Sequence, residues 1–233
     1  MTYLYLLNFA MYQVIGLALL LVCRGNRNQM FARNMGCSTL CASLVSVGYL
    51  MYSGGRPPFD ALGMALLAAG SVLNLLFLSY GVVQLAGREL PRSAAVGMGL
   101  ITIAVLLVPL GEQQLPFWGL CNVGMFMILG AAATRWLWRT DARERLVGPL
   151  LMLLGLNQLW LIFWGEAGLG PHIFCATVLR VAISVVFLLS ALHRANGEAR
   201  KLATRFQMLT EHSVQGVVVT DGANILYANP ALR

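Results

Sequence analysis

A single arginine lies within an apolar segment, where a charge is costly. Arg180 stands in the stretch IFCATVLRVAISVV, about seven residues into the last of the chain's apolar runs. A charged side chain at this depth in a membrane marks a functional site by default, and a guanidinium group binds carboxylates through paired hydrogen bonds. We therefore expect Arg180 to anchor a ligand. The alternative is that it snorkels outward or pairs with one of the acidic residues Glu166, Glu112 and Asp60.

Neutral polar and aromatic side chains lie at comparable depths in other apolar runs. They are Asn122, Asn157, Trp160, Asn74 and Trp118. Together with Arg180 they would form an outward-opening pocket for a small amphiphile that carries a carboxylate or another acceptor. The alternative is structural, because Asn side chains often bond one membrane helix to another and tryptophans mark the membrane interface.

The sequence argues against several classes of function. Its only lysine, Lys201, lies outside the apolar runs, so a retinal Schiff base cannot form within a span. The three histidines, His172, His193 and His212, lie outside the predicted bilayer core, which argues against a haem held by facing histidines. No HExxH or GxxxxGK[ST] motif and no carboxylate cluster is present. We assign no catalytic residue, metal or cofactor.

The elements that position these residues are predicted to be membrane helices. The 233-residue chain is 58% hydrophobic and only 11% charged, with a mean hydropathy of +0.73, whereas a soluble domain carries roughly 25% charged residues. Apolar runs near the ~20 residues that cross a bilayer occur at about 3–23, 35–53, 61–86, 93–111, 117–137, 146–164 and 173–192. The predicted fold class is an all-α polytopic membrane protein with a seven-helix bundle.

The distribution of basic residues predicts the orientation of this bundle. The chain has a net charge of +7, and its basic residues lie in every second short connection between the apolar runs. Among the sixteen Lys and Arg, only Arg56 and Arg180 depart from this pattern. Because basic loops stay in the cytoplasm, the N-terminus is predicted outside and the C-terminus inside. The same distribution argues against a nucleic-acid partner. We expect a multi-pass membrane protein.

An apolar heptad follows the last run, in the stretch LHRANGEARKLATRFQMLTEH. It consists of Leu192, Ala195, Ala199, Leu202, Phe206 and Leu209. This a/d spacing is typical of a coiled coil, so we expect the helix to pair with the same helix of a second subunit in a homodimer. The alternative is a single amphipathic helix that rests on its own neighbouring domain.

The last residues are typical of a soluble α+β fold. Val217 and Val219 alternate on one strand, and the segment 221–224, Asp-Gly-Ala-Asn, has the composition of a tight hairpin turn. Ile225 and Tyr227 alternate on the return strand. Asn229 and Pro230 then occupy the N-cap and first position of a further helix.

This ending, FQMLTEHSVQGVVVTDGANILYANPAL at 206–232, resembles the start of a PAS domain. The matching positions are Gly216, Asp221, Gly222, Ile225 and Asn229. The resemblance implies a receptor of the bacterial inner membrane whose output lies downstream: a diguanylate cyclase or cyclic-di-GMP phosphodiesterase, or a histidine kinase. It covers only the beginning of such a domain and implies no PAS cofactor.

These observations predict three regions: a seven-helix sensor at 1–192, a signalling helix at 193–212 and the start of a PAS domain at 213–233. The predicted function is to detect a small anionic or amphiphilic ligand within the membrane. The signal is then relayed through the paired helix to the cytoplasmic PAS domain and a downstream cyclic-di-GMP-metabolising output domain. The alternatives are a histidine kinase sensor module, a simple membrane anchor that dimerises the protein, and a transporter-like permease. Transport has less support because the spans carry no paired charges and no helix that is clearly broken by Gly or Pro.

Overall fold

The protein is mostly helical. A computed structural model describes residues 2–25, 29–52, 59–107, 114–213, 215–216, 218–222 and 224–232. The α-helices of the described chain are α1 (Thr2–Gly25), α2 (Met30–Tyr52), α3 (Phe59–Leu85), α4 (Arg92–Leu107), α5 (Gln114–Leu137), α6 (Val147–Leu156), α7 (Leu159–Trp164) and α8 (Leu169–Glu211). Short 3₁₀ turns at Glu144–Leu146 and Gly165–Gly168 precede α6 and α8. Contacts divide the chain into a membrane unit, Met1–Ala191, and a C-terminal unit, Leu192–Arg233.

Six segments of the described chain are long and apolar enough to cross a bilayer. They are Tyr3–Arg24, Met30–Met51, Ala61–Leu85, Gly119–Leu137, Glu144–Trp164 and Leu169–Glu211. The helix α4 is 16 residues long, and the rest of the predicted fourth run, 108–111, lies outside the described residues. The membrane character of the chain is therefore supported, while the seventh span and the orientation remain predictions.

The run predicted at 146–164 has a break between two α-helices, although both residues at the break keep right-handed helical dihedral angles. The helix α6 ends at Leu156 and α7 begins at Leu159, with Asn157 and Gln158 between them. Beyond the break, the amide of Leu161 donates to the carbonyl of Gln158 at 3.0 Å, one residue short of the α-helical spacing. The carbonyl oxygen of Asn157 accepts the amide of Trp160 at 3.3 Å, again with the shorter spacing, and it also lies 3.1 Å from Nδ1 of His172 on α8. The hydrogen-bond ladder therefore tightens to 3₁₀ spacing at this point.

Small residues set the spacing between the helices of the membrane unit. A Cβ atom added at Gly148 of α6 would lie 2.8 Å from the carbonyl oxygen of Gly130 on α5. At the contact of α1 with α2, a Cβ atom at Gly16 would lie 3.1 Å from the carbonyl oxygen of Gly36. Glycine at such contacts allows membrane helices to approach closely. Behind these contacts lies a core of fully buried side chains, including Phe187 on α8.

The C-terminal unit contains the predicted hairpin. Strands β1 (Val218–Asp221) and β2 (Asn224–Ala228) pair antiparallel, with Asp221 opposite Asn224 and a register irregularity after Val219. Gly222 in the turn has φ +59°, a conformation that glycine adopts without strain. Val217 and Ala223, which the sequence places in the first strand and the turn, lie outside the described residues. This two-stranded sheet confirms the predicted hairpin but does not identify a PAS domain.

The hairpin is tied to the end of α8 by one asparagine. Asn229 is fully buried, and its amide Nδ2 donates to the carbonyl oxygens of Thr210 at 3.0 Å and Gln215 at 2.8 Å, with a longer contact to Ser213 at 3.4 Å. The last carbonyls of a helix have no partner within it. Asn229 does precede a short helical turn, Pro230–Leu232, but its amide group caps α8.

Candidate functional site

The arginine singled out by the sequence is held on two sides within the membrane unit. Arg180 of α8 donates from Nη1 to Oδ1 of Asn74 on α3 at 3.0 Å. Its guanidinium carbon lies 6.0 Å from the ring centre of Tyr12 on α1, within the range of a cation–π contact. Neither described partner is anionic, so these contacts orient the charge of Arg180 without neutralising it.

Asn74 is the residue that positions this arginine. It is buried, and its Oδ1 also accepts a hydrogen bond from Oγ of Ser38 on α2 at 2.9 Å. The same hydroxyl lies 3.0 Å from the carbonyl oxygen of Asn74. One amide oxygen therefore joins α2, α3 and α8 at the level of Arg180.

A second polar pair supports the same part of α8. The hydroxyl of Thr177, one turn before Arg180, contacts Oδ1 of Asn8 on α1, and both residues are buried. It also lies 2.6 Å from the carbonyl oxygen of Ile173. Buried polar groups in a membrane protein are satisfied within the bundle. The contacts of Thr177 therefore fix the helix that carries Arg180.

Arg180 and Asn74 both line a cavity of about 620 Å³ in the membrane unit. Its walls are mainly apolar and come largely from α3 and α5, with Leu75, Phe126 and Leu129 among them. Ligand pockets span roughly 300–1,000 Å³ and combine apolar walls with a few polar groups. The size and lining of the cavity suit a small amphiphile.

The structure brings only some of the predicted pocket residues together. Arg180, Asn74 and Asn122 line the cavity. Asn157 does not, because its Nδ2 donates to the carbonyl oxygen of His172 at 2.9 Å and lies 3.0 Å from the ring Nδ1. Trp160 is exposed and lies against Trp164, with ring centres 4.7 Å apart. Its position fits the alternative of an interfacial aromatic residue.

One predicted pocket residue and the three acidic residues that could pair with Arg180 lie wholly or partly outside what the structure describes. They are the side chain of Trp118, all of Glu112, and the side chains of Glu166 and Asp60.

Further polar side chains line the cavity, among them Ser79, Gln158 and His172. Ser79 is only 1% exposed, and its hydroxyl has no hydrogen-bond partner in the part of the chain that the structure describes. The hydroxyls of Ser184 and Ser190 also lack a partner there, but of these three serines only Ser79 lines the cavity, where a ligand would supply one. Sequence gives no signal for Ser79, since serine is an ordinary residue in membrane helices.

The predicted heptad face of α8 lies open. Leu202 and Leu209 are 71% and 75% exposed, and Phe206 and Leu192 are exposed as well. Ala199 is exposed and Ala195 is half-buried. The face is therefore an apolar stripe without a partner in the described chain.

Comparison with known proteins adds no identification, since no family model, curated protein or solved structure matches this chain. Within the described ranges, no group of three or more His, Cys, Asp or Glu side chains could hold a metal ion.

Proposed function

We propose that the chain is the input module of a membrane sensor, in which the cavity beside Arg180 binds a small amphiphile with an anionic head. The observation that carries this proposal is the cationic side chain of Arg180 at the edge of a largely apolar cavity. An intramembrane charge of this kind is costly and is retained where it binds or relays something.

The contacts of Arg180 leave most of its hydrogen-bonding capacity for a ligand. A guanidinium group has five N–H donors, and the described structure uses one of them, for Asn74. A carboxylate accepts two donors in parallel. Ser79 and Asn122 offer further polar contacts on the cavity wall, while its apolar remainder accommodates a hydrocarbon body.

The relay would run through α8, which carries both Arg180 and the heptad stripe. Pairing of two such stripes would cover Leu202, Phe206 and Leu209. Rotation or a register shift of a paired helix transmits a change over distance. The resemblance of residues 206–232 to the start of a PAS domain supports a downstream signalling output, of which a cyclic-di-GMP enzyme is our first choice and a histidine kinase the alternative.

Photolabelling tests whether the cavity binds such a ligand. A fatty acid that carries a photoreactive diazirine is incorporated with the protein in liposomes, and labelled residues are mapped by mass spectrometry. We expect labelling on the cavity side of α3 and α5 that is lost in Arg180→Gln. Labelling at the exposed residues Leu17 and Leu21 of α1 reports general lipid contact and should not change. Equal labelling of the cavity in both proteins would contradict the proposal.

One observation favours the permease as a second candidate. The break at Asn157–Gln158 divides a span, and Gln158 lines the cavity. Substrate sites of transporters often lie at discontinuous helices. Net flux of a labelled fatty acid across sealed liposomes, above that of protein-free liposomes, would favour the permease. Binding without flux would favour the sensor.

The anchor alternative is tested by exchange of the membrane unit. The spans are replaced by an unrelated dimeric membrane anchor in the full-length protein, and regulation of the output is measured. Loss of regulation with retained basal output is expected for a sensor, whereas retained regulation would favour the anchor.

A further inference from the structure

A second concave surface lies where α5 ends and carries three arginines, whereas the cavity described above has Arg180 alone. It encloses about 860 Å³ and is lined by Arg88, Arg135 and Arg139 together with Trp136 and Trp138. All three arginines are exposed. No acidic side chain is among the lining residues that the structure describes. The groove is therefore a concentrated positive surface.

One of these arginines is held in place by an aromatic ring. The guanidinium carbon of Arg88 lies 5.1 Å from the ring centre of Trp136. A cation–π contact of this kind orients the guanidinium group but leaves its N–H donors free for an anion. Arg88, from the connection after α3, is thereby brought beside the arginines at the end of α5.

The groove changes from charged to apolar along the direction of α5. Ala131 precedes Arg135 by one helical turn, about 6 Å along the axis, and lines the same groove as Met152 of α6. Arginine and tryptophan together are typical of the level where a bilayer meets water. A ligand that fills this surface therefore has an anionic head at the arginines and an apolar body along Ala131 and Met152.

We propose that this groove binds the phosphate headgroup of an anionic membrane phospholipid. A free phosphate ion would leave the apolar part of the groove uncovered, whereas a phospholipid covers both parts. Basic pockets between membrane helices bind anionic headgroups in this way. Trp136 also lines the interior cavity, so it forms a wall shared by the lipid groove and the proposed ligand site.

The test measures lipid retention on the full chain in detergent by native mass spectrometry, with phosphatidylglycerol and phosphatidylcholine of identical acyl chains. We expect a preference for phosphatidylglycerol that falls about fivefold in Arg135→Gln, since each arginine near the surface contributes that much to anionic lipid binding. The triple variant R88Q/R135Q/R139Q should lose the preference. Arg143→Gln removes an exposed arginine that does not line the groove and should leave it unchanged.

Two outcomes would overturn the proposal. One is equal retention of phosphatidylglycerol by the wild-type protein and Arg135→Gln, a single surface substitution that is expected to fold normally. The other is displacement of phosphatidylglycerol by inorganic phosphate at matched concentration, which would identify a site for the free ion. Size-exclusion profiles confirm that each variant is folded before the comparison.

Discussion

Arg180 on α8 donates a 3.0 Å hydrogen bond to Oδ1 of Asn74 on α3, although 106 residues separate the two in sequence. Asn74 is buried and receives a second hydrogen bond from Ser38. The pair therefore does two things: it joins three helices, and it holds a cation at the edge of a cavity. Substitutions at Asn74 and Arg180 separate the structural role from the ligand-binding role.

Asn74→Ala is expected to destabilise the bundle. It leaves Ser38 and Arg180 without their shared acceptor, and hydrogen bonds to charged groups contribute about 1.5–3 kcal/mol. The free energy of unfolding in mixed micelles, titrated with a denaturing detergent, should fall by about 2 kcal/mol. Asn122→Ala is the matched control, because Asn122 also lines the cavity but makes no side-chain hydrogen bond in the described structure. An equal loss in both variants would argue against a special role for Asn74.

Gly148→Ala should separate α5 from α6. A Cβ atom there would lie 2.6 Å from the amide nitrogen of Thr134 and 2.8 Å from the carbonyl oxygen of Gly130, and neither backbone group can move independently. Overpacking of this kind costs about 1–3 kcal/mol. Thermal unfolding in detergent measures the effect. Gly124→Ala, on α5 with nothing within 4 Å of the added atom, should be nearly neutral, and a neutral Gly148→Ala would show that the helices are not closely packed.

Asn229→Ala should release the hairpin from the end of α8. The substitution removes the donors to Thr210 and Gln215 and leaves the end of the helix uncapped. We expect backbone amides in β1 and β2 to exchange with deuterium at least about tenfold faster, since two lost hydrogen bonds exceed the free energy of a tenfold change. Asn196→Ala, at an exposed position of α8, provides the control. Unchanged exchange in Asn229→Ala would mean that other contacts hold the hairpin.

Cysteine crosslinking tests the pairing of α8. The five native cysteines are first replaced by serine, and a single cysteine is introduced at Leu202 on the heptad face or at Thr204 on the opposite face. A homodimer coiled coil places equivalent d positions next to each other, so Leu202→Cys should form a disulfide-linked dimer in membranes and Thr204→Cys should not. Equal crosslinking at both positions, or none at either, would contradict pairing through the heptad.

The sequence predicts the helical framework well because that framework depends on local composition. Apolar length is enough to identify six of the seven predicted spans, and Asp221, Gly222 and Asn224 are enough to place the hairpin turn. The break at Asn157–Gln158 could not be predicted in the same way, since it accompanies contacts with His172 on another helix. Local pattern does not contain such tertiary contacts.

The same contrast between local sequence pattern and tertiary contacts applies to the residues of the candidate site. Arg180 was identifiable because a charge in an apolar run is unusual. Its partner Asn74 was one of several polar residues at membrane depth, and only the packing of α3 against α8 distinguishes it from Asn157, which pairs with His172. Ser79 carries no distinguishing feature in sequence, and its place on the cavity wall follows from the fold alone.

The most direct test of the central claim compares the binding of a straight-chain carboxylic acid with that of the primary alcohol of the same length. Titration calorimetry in detergent gives the ratio of their affinities for the wild-type protein, Arg180→Gln and Arg135→Gln, the last of which changes the lipid groove but not the cavity. If Arg180 anchors an anionic ligand, the wild-type protein and Arg135→Gln should prefer the acid by about tenfold or more, and Arg180→Gln should bind both probes alike. The same preference for the acid in Arg180→Gln as in the wild-type protein would contradict the account.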